Sequence, residues 1–193
     1  MIMAIRTNIH QIERKALKSG RAVFSVQQLA NLTGKSKAVA TVYLSRLAKA
    51  GLAKKVLRGK ISFSDDDFII ATQLYEPSYI SFSSALSFYG LISQVPAKVE
   101  CATTRNSRVY PALGVRYHRL PPSLFFGFTP RKKGESYVLM ADKEKAVLDM
   151  AYFNMLPVSF YQEIVEKLDG KKLALYAKRF KGRGEKKLRR LFL

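Results

Sequence analysis

Two series of side chains between residues 35 and 60 could do chemistry. Lys35, Ser36, Lys37, Ala38, Thr41, Val42, Ser45, Arg46 and Lys49 form the first, and Lys54, Lys55, Arg58 and Lys60 the second. The first series mixes cations with short polar and short apolar groups and contains no carboxylate. An arginine can bond a guanine bidentately, a Thr or Ser hydroxyl can bond a base edge or a phosphate, and an Ala or Val methyl can lie against a thymine methyl. The second series is cationic throughout, which suits phosphate contacts more than base reading. Both point to recognition of a polyanion, with nucleic acid as the first candidate.

The elements that must position these residues are legible nearby. Ser25 followed by Gln28 forms a capping box, with Phe24 and Leu29 at the positions of a hydrophobic staple, so a helix begins at Ser25 and ends near Leu32. Thr33-Gly34 supplies a turn, and Ser36 is the expected N-cap of the next helix. At helical spacing Ala40, Tyr43, Leu44 and Leu47 gather on one side of that helix with the terminating Gly51, leaving Ala38, Thr41, Val42, Ser45, Arg46 and Lys49 on the other. An ordinary solvated helix surface is the plainer reading of that outer face. Leu52 to Leu57 and Ile61 to Phe63 then read as a short hairpin turning at Arg58-Gly59-Lys60. Ahead of this unit, Ile2, Ile5, Ile9, Ile12 and Ala16 make one helical stripe closed by Gly20. Helix, helix, turn, helix and basic hairpin together are the sequence form of a winged helix-turn-helix over residues 1–70.

Charge is distributed unevenly. The 193 residues carry a formal net charge of +20, of which residues 1–63 hold +12, residues 64–170 hold −1 and residues 171–193 hold +9. A solubility device would be spread along the chain, whereas basicity confined to two ends marks contact surfaces. The last segment interleaves Leu173, Leu175, Tyr176, Phe180, Leu188, Leu191 and Phe192 with cations that include Lys178, Arg179, Lys181 and Arg183. It could lie on DNA, on an anionic membrane or on an acidic partner, or pack its apolar side on the domain with its cations in water. Gly182 and Gly184 argue against one continuous membrane-surface helix.

Residues 76–193 read as a mixed α+β domain with a small sheet and several helices. A helix is expected over YISFSSALSFYGL from Tyr79, burying Ile80, Leu86 and Tyr89 and ending at Gly90, and strands over Lys98 to Thr104, Gly114 to Leu120 and Ser136 to Met140. Asp142 caps a further helix and Pro157 opens the next. Thr104, Arg105, Ser107 and Arg108 form a polar loop suited to phosphate, a possible second contact with nucleic acid or a partner.

Other chemistries find little purchase. Cys101 is the single cysteine and His10 and His118 the two histidines, so neither a disulfide framework nor a metal site is expected, and no cofactor motif appears. Asp65-Asp66-Asp67 fits a helix N-cap and first turn better than a magnesium site. Asp169-Gly170-Lys171 has the D-x-K form of a nuclease half-site without its upstream strand partner, and there is no P-loop or Ser-His-Asp order, so an enzyme is not expected. No apolar run has the length of a membrane span and the N-terminus is charged too early for a signal peptide, so the chain is expected in the cytoplasm.

The series YISFSSALSFYGLISQVP, ATTRNSR, GVRYHRLPPSLFFGF and ADKEKAVLDMAYF, in that order behind a winged helix-turn-helix, resembles the AbiEi antitoxin family over roughly residues 20–155. That family is the transcriptional-regulator half of type IV toxin-antitoxin systems used in phage defence. The resemblance implies a repressor that binds inverted repeats in double-stranded DNA at its own operon's promoter, with a C-terminal domain that counters a nucleotidyltransferase-like toxin. An orphan or architectural DNA-binding protein without antitoxin activity is the alternative, and a nuclease the more distant one.

Overall fold

The computed structural model describes residues 8–155, 157–182, 185, 186 and 188, without the side chain of Val158. The chain is mixed α+β and divides into two compact units, residues 1–74 with 132–137, and residues 75–131 with 138–193.

In the first unit, α1 (Ile9–Lys18) starts at Asn8, whose side chain accepts from the His10 amide at 3.1 Å. Ile12 and Ala16 of the expected stripe are buried, and Ile2 and Ile5 lie outside the described residues. There follow β1 (Val23–Ser25), α2 (Val26–Thr33), α3 (Lys37–Lys49), β2 (Lys54–Leu57), β3 (Lys60–Ser62) and α4 (Asp67–Leu74). Strand β3 is central in a three-stranded antiparallel sheet, with Phe24 opposite Ile61 on one side and Lys55 opposite Ile61 on the other. The core joins Ile12 and Ala16 to Phe24, Leu29, Ala40, Leu44, Leu47 and Ile61, so α1, α2, α3 and the sheet share one apolar centre. Burial at about 25 cal/mol per Å² of apolar area is what holds such short elements, since helices of this length are marginal alone.

Residues 132–137 complete this unit. Gln73, buried at the end of α4, accepts from the Ala22 and Val23 amides at 2.8 and 3.1 Å through its carbonyl oxygen. Its amide nitrogen donates to Ser136 Oγ at 2.9 Å and to the Tyr137 carbonyl at 3.2 Å, while Ser136 Oγ donates to the Gly20 carbonyl at 2.8 Å. A buried amide whose both ends are satisfied is a specific fastener, because each group left unpaired costs about 1–3 kcal/mol.

The second unit is built on a six-stranded sheet in the order β6-β7-β5-β4-β9-β8: β4 (Ser78–Ile80), β5 (Val99–Thr103), β6 (Arg108–Tyr110), β7 (Val115–Arg119), β8 (Phe128–Lys133) and β9 (Ser136–Ala141), with residues 132–137 of the last two belonging to the first unit. Strand β4 is antiparallel to β5 and parallel to β9, and β5 is parallel to β7. Helices α5 (Phe82–Phe88), α6 (Lys143–Tyr152), α7 (Val158–Val165) and α8 (Gly170–Ala177) complete it, with α6 in contact with both α5 and α8.

The helix expected from Tyr79 is a correction. Ser78, Tyr79 and Ile80 are a central strand, buried on both faces, and the helix begins only after Ser81. A strand covered on both faces shows no alternation, so three residues of it are indistinguishable from the first turn of an apolar helix. The sheet is also larger than expected, because β6 and β8 escaped notice. They are the two edges, mostly exposed, and carry Arg108, Pro130, Arg131 and Lys132, residues that guard edges against further pairing.

Candidate nucleic-acid interface

The segment that positions the first series is closed at each joint by a local cap. Ser25 and Gln28 form the reciprocal box, the Ser25 amide donating to Gln28 Oε1 at 2.8 Å and the Gln28 amide to Ser25 Oγ at 3.3 Å. Gly34 ends α2 at φ 64°, a left-handed conformation that a side chain would strain. Ser36 Oγ then accepts from the Val39 amide at 3.4 Å and opens α3.

Ala40, Leu44 and Leu47 turn α3 onto the core, and Ala38, Thr41, Val42, Arg46 and Lys49 are exposed on the other side, with Lys35, Ser36 and Lys37 exposed at its start. Val39 is 38% and Val42 48% exposed, β-branched apolar groups left in water beside cations. Among the described residues none of Lys35, Lys37, Arg46 or Lys49 joins an ion pair. Two positions are less available than the spacing implies. Ser45 is half-buried, and Thr41 Oγ1 donates to the Lys37 carbonyl at 2.9 Å, so its hydroxyl is left to accept.

The hairpin is short and fastened. Its turn at Arg58-Gly59 follows an irregularity between Lys55 and Leu57, and the Gly59 carbonyl accepts from the Val26 amide at 3.1 Å, tying the tip to the start of α2. Lys54, Lys55 and Arg58 are exposed; Lys54 stands 3.7 Å from the exposed Asp65, a contact worth little in water. Lys60 differs from the expected set. Its ammonium donates to the Leu74 carbonyl and its side chain is half-buried, so it serves the fold of the first unit. Asp66 is a helix cap, accepting from the Phe68 and Ile69 amides at 3.0 Å each and pairing with Lys133 at 2.6 Å.

In the second unit the predicted loop is drawn onto aromatic rings. The guanidinium of Arg105 lies 4.9 Å and that of Arg108 5.5 Å from the Tyr75 ring centre, and Arg108 also donates to the Tyr110 hydroxyl at 3.1 Å. Ser107 Oγ accepts from the Arg119 amide at 3.0 Å, and Thr104 is half-buried. Farther along, Leu173, Phe180 and Leu188 of the basic segment are buried, Tyr176 is half-buried and donates to Asp142 Oδ2 at 2.8 Å, and Leu175 is 62% exposed. Most of its apolar residues therefore pack on the domain. Lys178, Arg179 and Lys181 are exposed, with Arg179 3.9 Å above the Phe126 ring, while Arg183, Leu191 and Phe192 lie outside the described residues.

Two polar clusters escape sequence reasoning. Lys145 and Asp149, one turn apart on α6 and both fully buried, form an ion pair, and Asp149 also accepts from Ser81 Oγ at 2.7 Å and the Tyr79 hydroxyl at 3.0 Å. Burial pushes the Asp149 carboxyl up and the Lys145 ammonium down, each opposed by the other. Gly127, at φ 70°, allows this lysine its place: a Cβ there would come within 3.1 Å of the Lys145 stem and 3.0 Å of Tyr176. In the second cluster Glu100 accepts from Ser83 Oγ at 2.6 Å and meets His118 Nε2 at 3.1 Å. Burial would raise the Glu100 carboxyl, but the bonds from His118 and Ser83 outweigh it and hold the group below the ordinary carboxylate range. A carboxylate so stabilised, sitting between the serine and the histidine, gives no base to activate Ser83. The only signal for either cluster is the i, i+4 spacing of Lys145 and Asp149, which an exposed helix pair shares.

Asp169 of the D-x-K string accepts from the Lys171 and Lys172 amides at 2.9 and 3.1 Å, the work of an N-cap. Among the described residues no group of three or more His, Cys, Asp or Glu could hold a metal ion, and no helix is long and apolar enough to cross a membrane. Comparison with protein-family models and with curated proteins finds no match to this chain.

Proposed function

We propose that the chain is a sequence-specific double-stranded DNA-binding transcriptional repressor, whose residues 1–70 are a winged helix-turn-helix with α3 as its recognition helix and β2–β3 as its wing. The observation that carries this reading is the outer face of α3. It is free of acids, built from Ala38, Thr41, Val42 and Arg46 around a capped N-terminus, and narrow enough to enter a major groove. The exposed methyl groups of Val39 and Val42 are suited to contact with thymine methyls. Arg46 is the base reader, and Lys54, Lys55 and Arg58 are phosphate contacts that set register. The formal charge of +12 on residues 1–63 supplies the long-range attraction.

The resemblance of the later residues to AbiEi antitoxins supports a fuller reading, in which the operator is an inverted repeat in the protein's own promoter and the second unit counters a nucleotidyltransferase-like toxin. The experiment is nuclease protection of the chain's own upstream DNA. Protection of an inverted repeat, persisting against excess random DNA, is the expected result; uniform coverage of any duplex would move the protein to the architectural class.

A further inference from the structure

The second unit has a groove that the proposed DNA reading does not use. It is open to solvent, has a volume of about 480 Å³ and is lined by Pro121, Ser123, Leu124, Tyr152, Lys178, Arg179 and Lys181. No carboxylate lines it, and among the described residues none of the three cations joins an ion pair. Arg179 is held rather than free. Its guanidinium lies 3.9 Å from the centre of the Phe126 ring, whose centre is also 5.0 Å from the buried Lys145 ammonium. Lys145 itself is neutralised by Asp149, so the charge offered to an anion comes from Lys178, Arg179 and Lys181.

We propose that this groove binds a nucleoside phosphate, with its phosphates on Lys178, Arg179 and Lys181 and its base against Tyr152 and Pro121. Volume and lining both select that class. Small-molecule sites occupy about 300–1,000 Å³ and combine apolar walls with a few placed polar groups. A stacked guanidinium is pre-organised, and its edge donors fit phosphate oxygens. Inorganic phosphate would leave the Tyr152 and Pro121 wall unused. A DNA duplex would leave it unused as well, because its bases are stacked inside. The nucleotide can be free or the unstacked unit of a single strand, since both offer the same chemistry.

The test is calorimetric titration of the full chain at about 0.15 M salt, where screening suppresses diffuse attraction to a basic protein. The probes are ATP, GTP, inorganic triphosphate, an oligodeoxyadenylate and a duplex of random sequence. ATP or GTP should bind about tenfold more tightly than triphosphate, and Arg179→Ala should weaken the nucleotide by about tenfold, the worth of one charge-assisted bond. Lys181→Ala, an exposed side chain with no packing role, should weaken it in the same direction if Arg179→Ala disturbs the Phe126 stack. Lys167→Ala removes equal charge at an exposed position outside the groove and should leave nucleotide binding unchanged. Competition by the oligodeoxyadenylate would extend the site to strands. Triphosphate binding as tightly as ATP, displacement of ATP by the duplex, or an equal loss in Lys167→Ala would each overturn the proposal. Arg46→Ala should not alter nucleotide binding, so failure here and failure of the repressor reading are separate results.

Discussion

The same residue types do opposite work in the two units. On α3 and the hairpin of the first unit, Lys35, Lys37, Arg46, Lys49, Lys55 and Arg58 stand in water and unpaired among the described residues. In the second unit cations are claimed by the fold: Lys145 is sealed in the core against Asp149, Arg105 and Arg108 lie by Tyr75, Arg131 by Tyr89 and Arg179 on Phe126. Free cations project a field that a partner can neutralise, whereas cations over aromatic rings are oriented and partly desolvated, ready for one ligand in one geometry. Net charge alone hides this difference.

The comparison is broken most severely at Lys145. Replacing it with Met leaves Asp149 buried without its counter-ion and should cost about 3–5 kcal/mol in chemical denaturation, whereas Lys145→Met combined with Asp149→Leu should recover much of that loss. If the single variant is as stable as the parent, the buried pair is not a pair in solution. In the first unit, Ser25→Ala deletes half of the capping box and should cost about 1 kcal/mol by the same measurement. Its DNA affinity should fall only as far as the folded fraction falls.

Smaller effects sharpen the contrast further. Glu100 sits lower in the folded chain than in the unfolded one, so the unfolded state takes up protons first as pH falls. Its contribution is complete above the unfolded carboxylate value and disappears as pH drops through the folded one. Glu100→Gln should therefore lower stability at neutral pH and flatten its fall on the acid side, where the parent has already lost this contribution. Least of all, Lys60→Ala should change the salt dependence of DNA binding less than Arg58→Ala, for which the slope should fall by about one counterion. Equal changes would mean that the Lys60 bond to Leu74 opens on DNA.

Legibility in the sequence followed the same divide. The first unit could be read because its structure is local: Ser25, Gln28, Gly34 and Ser36 set the helix ends through bonds to residues at most five positions away. Its exceptions were long-range, as when Lys60 turns to Leu74 and Gln73 fastens residues 136 and 137. The second unit depends on pairings remote in the chain, such as Ile80 with both Cys101 and Met140. Periodicity says nothing about such partners, so β4 passed for a helix turn and the burial of the Lys145–Asp149 pair left no mark in the sequence. The edge strands were missed for the opposite reason, since exposed Arg108 and Pro130 look like loop residues.

The central claim is that α3 reads bases while the hairpin only holds the backbone. Equilibrium binding of Arg46→Ala and Arg58→Ala to the protected operator and to random duplex, at one fixed salt concentration, tests it directly. Arg46→Ala should lose about 1–3 kcal/mol on the operator and little on random DNA, while Arg58→Ala should lose similar amounts on both. Equal losses on the two duplexes for Arg46→Ala would contradict the claim.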